Sequence, residues 1–340
     1  MKDCFFRIDG ASFIGYGHLY RSFVLAKELS NNGMKCIYLI RNLDDNALGL
    51  IEKQGFDYYT IVEQYTEKDT WQICTQGFNK ILELDYDETL SFAKNNILVV
   101  DNYSISSDYL NRIRNNVHLL IAFDDINDRH YPVDILINQN FRAEQYSFST
   151  LPQTKLLAGL KYTLIREKFF EAKCESDQNY LLIMLGATDA KNHSEFFLEI
   201  LKDVDIHIKI IVGRGNKNKN YLKKKFDCYD NIDICKDPTD VEKIMARAKR
   251  VITAAGSSVW ELCFLNKQFL VIKIADNQTK IVDELTKIGL TQELKVSEKH
   301  FKDKIISFYK NGLPVTQKQV LVDGNGKRRI AEVILKRGIE

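Results

Sequence analysis

The chain has 340 residues, and 48 lysines and arginines against 46 aspartates and glutamates leave a net charge of +2. That balance carries no electrostatic footprint for nucleic acid or an anionic membrane surface and points to small-molecule partners. Seven cysteines form no Cys-x-x-Cys pair, no apolar run reaches the ~20 residues of a membrane span, and no apolar signal segment precedes the first strand. The expectation is a cytoplasmic monomer with reduced thiols, no membrane insertion, no nucleic acid, no metal site and no cofactor.

At the usual domain size of about 100 to 200 residues, a chain of this length implies two domains. Cys4 to Ile8 reads as a buried strand, and Leu19, Phe23, Ala26 and Leu29 then recur at helical spacing until Gly33. Strands are expected at 35–40, 58–62, 97–101 and 119–125, with helices at 47–53 and 108–114. A second series has strands at 180–186, 206–212, 232–235, 251–254 and 269–274, and helices at 194–201, 241–248, 260–265 and 281–288. Short apolar strands alternating with helices, two of them ending in Asp, indicate parallel sheets with ligands at the strand carboxyl ends. The fold class is therefore α/β, with two Rossmann-like, doubly wound domains at 1–165 and 166–340. The join falls between about Gly159 and Asn179, where strand signals lapse.

The segment Asp9 to Arg21 places a histidine where a strand, a glycine loop and a helix meet. Gly15 and Gly17 let the backbone pass close to a ligand, and an imidazole such as that of His18 exchanges its proton near neutral pH. The plain alternative is a glycine turn followed by a solvated first-turn histidine. Asp101, Asp124 or Asp125 is available to orient the imidazole, or only to cap a loop. His118, His130, His193, His207 and His300 show no ligand spacing and read as surface or loop residues.

In the second half, Gly256 and the free amides of Ser257 and Ser258 follow a strand and open a helix, a setting that suits an anion. Glu261, one turn further on, can accept from the two vicinal hydroxyls of a ribose. The alternative is an N-cap serine and a glutamate that complements the dipole. Gly186 opens another small-residue turn, and Asn277 and Gln278 supply neutral amides after a strand. Tyr20 stands where a dinucleotide fingerprint needs a third glycine, and no Gly-Lys-Ser or Gly-Lys-Thr loop is present, so neither NAD nor ATP fits.

The motifs Asp9-Gly10, Gly15-x-Gly17-His18-x-x-Arg21, Val99-Val100-Asp101-x-Tyr103, Phe123-Asp124-Asp125, Leu164-Ile165-Arg166-x-x-Phe169, Gly256-Ser257-Ser258-x-Trp260-Glu261, Ala275-Asp276-Asn277-Gln278 and Val322-Asp323-Gly324-x-Gly326-x-x-Arg329 span nearly the whole chain. Together they resemble the UDP-sugar hydrolases of pseudaminic acid biosynthesis, whose C-terminal half is similar to that of the lipid II N-acetylglucosaminyltransferases. The resemblance implies the GT-B architecture, two facing domains with an interdomain cleft. It implies hydrolysis of UDP-2,4-diacetamido-2,4,6-trideoxy-β-L-altropyranose to UDP and the free sugar. It also implies that His18 activates water, that Tyr103 lies near the sugar, and that Glu261, Asn277 and Arg166 hold the nucleotide sugar. Asn102 stands where the family commonly has histidine, and Ala187 and Ala190 stand for a Gly and a Pro.

Such chemistry needs a neutral imidazole to take a proton from water and fixed dipoles to receive the leaving pyrophosphate, with inversion at the anomeric carbon. The UDP-binding set is then Gly15, Gly17, Arg21, Arg166, Gly186, Gly256, Ser257, Ser258, Glu261, Asn277 and Gln278. Two rivals use the same fold: an inverting glycosyltransferase with an acceptor hydroxyl in place of water, and a non-catalytic nucleotide-sugar binding protein. The lysines at 217, 219, 223, 224 and 225 would suit an acceptor face or a solvated helix flank.

Overall fold

The computed structural model describes residues 2–11, 14–41, 45–62, 79–186, 188–189, 191–274, 278–314 and 322–339. It divides into one unit of Met1–Leu164 with Gly324–Glu340 and a second of Ile165–Asp323.

The first unit is built on a parallel sheet. Its strands are β1 (Cys4–Ile8), β2 (Cys36–Arg41), β3 (Asp57–Ile61), β4 (Ile97–Asp101), β5 (Leu119–Phe123), β7 (Ile135–Asn138) and β9 (Lys155–Ala158), in the spatial order β3-β2-β1-β4-β5-β7-β9. β6 (His130–Tyr131) and β8 (Ser149–Thr150) form a separate small ladder. Every residue of β1, β4 and β5 is buried, which is why these segments read as apolar, with Arg7 in β1 and Asp101 at the end of β4 as the charged exceptions. Because the order reverses between β1 and β4, their carboxyl ends open a crevice, the usual ligand position of a doubly wound sheet.

Helix α1 (Gly17–Asn31) crosses from β1 to β2 and buries Leu19, Phe23, Leu25, Ala26 and Leu29. Its approach to the sheet requires Gly10, since a Cβ there would stand 2.3 Å from Leu19 Cδ1. Gly15 takes φ +85, closed by its amide on the Ala11 carbonyl at 2.7 Å, whereas a Cβ at Gly17 would meet open space. The tight turn therefore needs Gly15, and Gly17 leaves room at the helix start.

The division at 165/166 expected from the sequence needs one correction. The helix Gly326–Ile339 belongs to the first unit, where Ile330, Ala331 and Ile334 join the same core as Leu19, Phe23 and Leu29. A side chain at Gly326 would collide with the Thr163 carbonyl, and Arg329 Nη1 donates to the Lys161 carbonyl at 2.8 Å.

The second unit repeats the plan with β10 (Gln178–Met184), β11 (Ile208–Val212), β12 (Ile232–Lys236), β13 (Ala248–Ala254) and β14 (Phe269–Ile272), ordered β12-β11-β10-β13-β14 and parallel throughout. Its switch point lies between β10 and β13, the strands that lead into Gly186 and Gly256. The lysine-rich segment is the helix Lys219–Phe226. Lys219, Lys223 and Lys225 are engaged there by Asp237, Asp227 and Glu195, each within 2.8 Å.

Candidate active site

In the first unit the structure gathers His18, Arg21, Asp101, Tyr103 and Asp125 at the carboxyl ends of β1, β4 and β5. His18 Nδ1 lies 2.6 Å from Asp101 Oδ1. A carboxylate can only accept, so Nδ1 carries a proton, and in the neutral ring Nε2 then holds the lone pair. Arg21 grips the same carboxylate through Nε, 2.5 Å from Oδ2, and Nη2, 2.6 Å from Oδ1. Its Nη2 also lies 3.1 Å from His18 Nδ1 because both groups share one oxygen.

The three candidate aspartates have separate roles. Asp101 orients the imidazole. Asp125 accepts from Arg21 Nη1 and from the Tyr103 hydroxyl, both at 2.8 Å. Asp124 caps its own loop, taking the backbone amides of Ile126 and Asn127 on Oδ1 and the Asn138 side-chain Nδ2 on Oδ2. Burial pushes the Asp101 carboxyl upward, but the Arg21 and His18 charges and bonds overcome it and hold it well below the usual carboxylate range. Asp125 is lowered in the same way, with Arg21 the main opponent of its burial.

Tyr103 presents its ring edge-on to His18, with centroids 4.8 Å apart and planes at 85°. Although the residue is 44 % exposed, desolvation of the hydroxyl and then the Asp125 charge beside it raise the phenol above the ordinary tyrosine range. The group holds its proton and spends it on Asp125.

Asp9 and Asn102 also belong to a buried charge network centred on Arg7, a cation inside an apolar strand. Arg7, fully buried, donates to Asp9 through Nη1 and Nη2 and to Asp85 through Nε and Nη2. Arg41 binds Asp9 from the neighbouring strand, with Nε 2.8 Å from Oδ2. Asn102 Nδ2 donates to Asp9 Oδ2 at 2.8 Å and its Oδ1 accepts the Ser104 amide, so the residue that departs from the family histidine ties the Tyr103 loop to this network.

In the second unit Arg166 and Glu261 are brought together, with Nε 2.9 Å from Oε1, and the guanidinium stacks 4.7 Å from the Phe169 ring centre. Burial raises the Glu261 carboxyl, with Arg166 opposing it. The helix Ser258–Phe264 begins after Ser257, which is in the right-handed helical region and makes no side-chain capping bond. The Val259 and Trp260 amides bond back to Gly256 and Ser257, and the Gly256 amide to Ala254. Gly186 takes φ +81 at the end of β10. Gln278 Oε1 accepts the Ile274 amide at 3.0 Å. Asn277, Ala187 and Ala190 lie outside the described residues. Among the described residues no three His, Cys, Asp or Glu side chains are grouped to hold a metal, and no helix is long and apolar enough to cross a membrane.

The chain matches no family model. It is 29% identical over 296 residues, 85% of its own length and 98% of the relative's, to the UDP-2,4-diacetamido-2,4,6-trideoxy-beta-L-altropyranose hydrolase of Campylobacter jejuni. The crystal structure of Acinetobacter baumannii MurG, a GT-B glycosyltransferase, matches it with a TM-score of 0.62 over 98% of this chain and 99% of that one, at 14% identity. The chain is an enzyme of the GT-B fold. This GT-B enzyme also resembles, at 21% identity over 62% of its length and 40% of the relative's, a Helicobacter pylori protein named pseudaminic acid cytidylyltransferase and UDP-2,4-diacetamido-2,4,6-trideoxy-beta-L-altropyranose hydrolase. The resemblance carried by the sequence motifs and the expected fold class are thus both met.

Proposed function

We propose that this GT-B enzyme hydrolyses UDP-2,4-diacetamido-2,4,6-trideoxy-β-L-altropyranose to UDP and the free sugar, a step of pseudaminic acid biosynthesis. The observation that carries the reading is the His18–Asp101 pair, set at a sheet switch point in a chain 29% identical to a hydrolase of that substrate. His18 Nε2 takes a proton from water, the water oxygen bonds to the anomeric carbon, and the carbon–oxygen bond to the β-phosphate breaks with its electron pair leaving on UDP. Attack opposite to the leaving group inverts the anomeric configuration. Asp101 steadies the imidazolium that forms, a general-base device worth roughly 10²- to 10⁴-fold.

Arg21 and Tyr103 position this pair rather than exchange protons. Glu261, held by Arg166, accepts from the ribose hydroxyls, and the amides after Gly256 receive the pyrophosphate; Gly186, Asn277 and Gln278 complete the nucleotide site. Likeness to MurG keeps sugar transfer as a second reading.

The test is incubation with the UDP-sugar in ¹⁸O-water without acceptor. UDP and free sugar should appear, with the label on the sugar. Label in the phosphate, or no turnover until an acceptor alcohol is added, defeats the proposal.

A further inference from the structure

In the second unit every strand is parallel, so the Gly186 and Gly256 turns lie at one edge of the sheet and the strand starts lie at the other. At the edge of strand starts is a cavity of about 390 Å³, walled by the segment 173–177, the beginning of β13 and the turn 265–268. Four cations line it, Lys173, Lys249, Arg250 and Lys267, against the two carboxylates of Glu175 and Asp177.

Both carboxylates are already engaged. Asp177 pairs with Lys267, and Glu175 Oε2 takes Arg247 Nε at 3.1 Å. The other three cations have only neutral partners among the described residues. Lys173 Nζ sits 4.4 Å from the Phe264 ring centre, and Lys249 Nζ sits 4.4 Å from that of Tyr309 while donating to Asn179 Oδ1. Arg250 Nη1 donates to the Lys249 carbonyl, and its Nε is buried without an acceptor.

A guanidinium cannot shed its charge, and a buried donor without a partner is rare in a folded protein. The Arg250 guanidinium packs against Gly312, where a Cβ would fall 2.7 Å from its Nη2, and the Gln268 Oε1 beside that glycine is taken by the Leu313 amide. Three cations that line one recess repel one another unless an anion joins them, and guanidinium and ammonium groups are both natural partners of phosphate oxygens.

We infer that the second unit binds a small phosphate-bearing anion in this recess, at the sheet edge opposite to the proposed nucleotide site.

The full-length protein, with UDP present in excess to occupy the nucleotide site, should take up inorganic phosphate or pyrophosphate saturably in calorimetry, with Kd below about 1 mM. Lys249→Gln and Arg250→Gln should each weaken that uptake at least about tenfold, with Arg250→Lys less severe, and leave UDP affinity unchanged. These variants report on the recess whether or not UDP binds, so the result stands apart from the proposed hydrolysis. If Arg250→Gln fails to fold, Lys249→Gln, whose side chain is only half-buried, decides alone. No saturable uptake, uptake indifferent to the substitutions, or binding to phosphatidylglycerol vesicles without binding of free phosphate would overturn the proposal.

Discussion

His18 Nδ1 and Asp101 Oδ1 stand 2.6 Å apart, and Arg21 binds the same carboxylate from its other side. The imidazole is therefore fixed in orientation and tautomer by a group whose own negative charge is secured by a guanidinium. In the neutral ring Nε2 is left with the lone pair. A histidine so held can accept a proton without first turning or tautomerising.

His18→Asn should lower kcat by roughly 10²-fold or more, because the proton acceptor is lost. Asp101→Asn should also lower kcat by at least about tenfold, since an amide can hold the imidazole in the wrong tautomer. UDP affinity, measured by calorimetry, should survive both changes. Near-normal turnover in His18→Asn would remove the mechanism.

Tyr103 separates bracing from acid catalysis. Its phenol is committed to Asp125 and resists ionisation, so Tyr103→Phe, which keeps the ring edge against His18, should cost about tenfold in kcat or less. Tyr103→Ala removes the brace as well and should cost at least about tenfold more. Equal losses in the two variants would give the hydroxyl a direct role in the chemistry.

Glu261→Ala should act on binding, because ribose hydroxyls do not change during the reaction. KM should rise about tenfold while kcat moves less than about threefold. Arg166→Ala should follow it in part, since the carboxylate then loses the 2.9 Å contact that orients it. A fall in kcat at constant KM would move Glu261 into the reacting centre.

These expectations were legible in the sequence to different depths. The strands β4 and β5 announce themselves because every residue is buried, and an unbroken apolar run is what a doubly covered parallel strand requires. The helix Asn79–Ala93 does not, because its buried face includes Asp85 and Thr89 beside Ile81 and Tyr86, so polar residues fall where apolar periodicity is sought. Asp85 is buried there only because Arg7, 78 residues away in sequence, receives it. Asp124 and Asp125 cannot be told apart as letters, yet one closes a loop and the other holds Arg21 and Tyr103. The return of Gly326–Ile339 to the first unit depends on packing against α1, which no local pattern encodes.

The buried network around Asp9 should make the first unit sensitive to acid. Burial pushes the Asp9 carboxyl upward, but Arg41 and Arg7 more than offset this and hold it well below the usual range. A carboxyl lowered in the folded state binds fewer protons there than in the unfolded chain, so its contribution is present above the unfolded value of about 3.9 and is lost as pH falls toward the folded one. Stability measured by urea unfolding should accordingly drop with pH below about 4. Asp9→Asn should start lower, by about 3 to 5 kcal/mol at neutral pH, because it leaves two buried guanidinium groups short of a partner, and its acid slope should be shallower. Asp85→Asn, in which Asp9 still bridges both arginines, should lose less. An Asp9→Asn protein with the wild-type acid slope would mean that the Asp9 carboxylate is not what the first unit loses in acid.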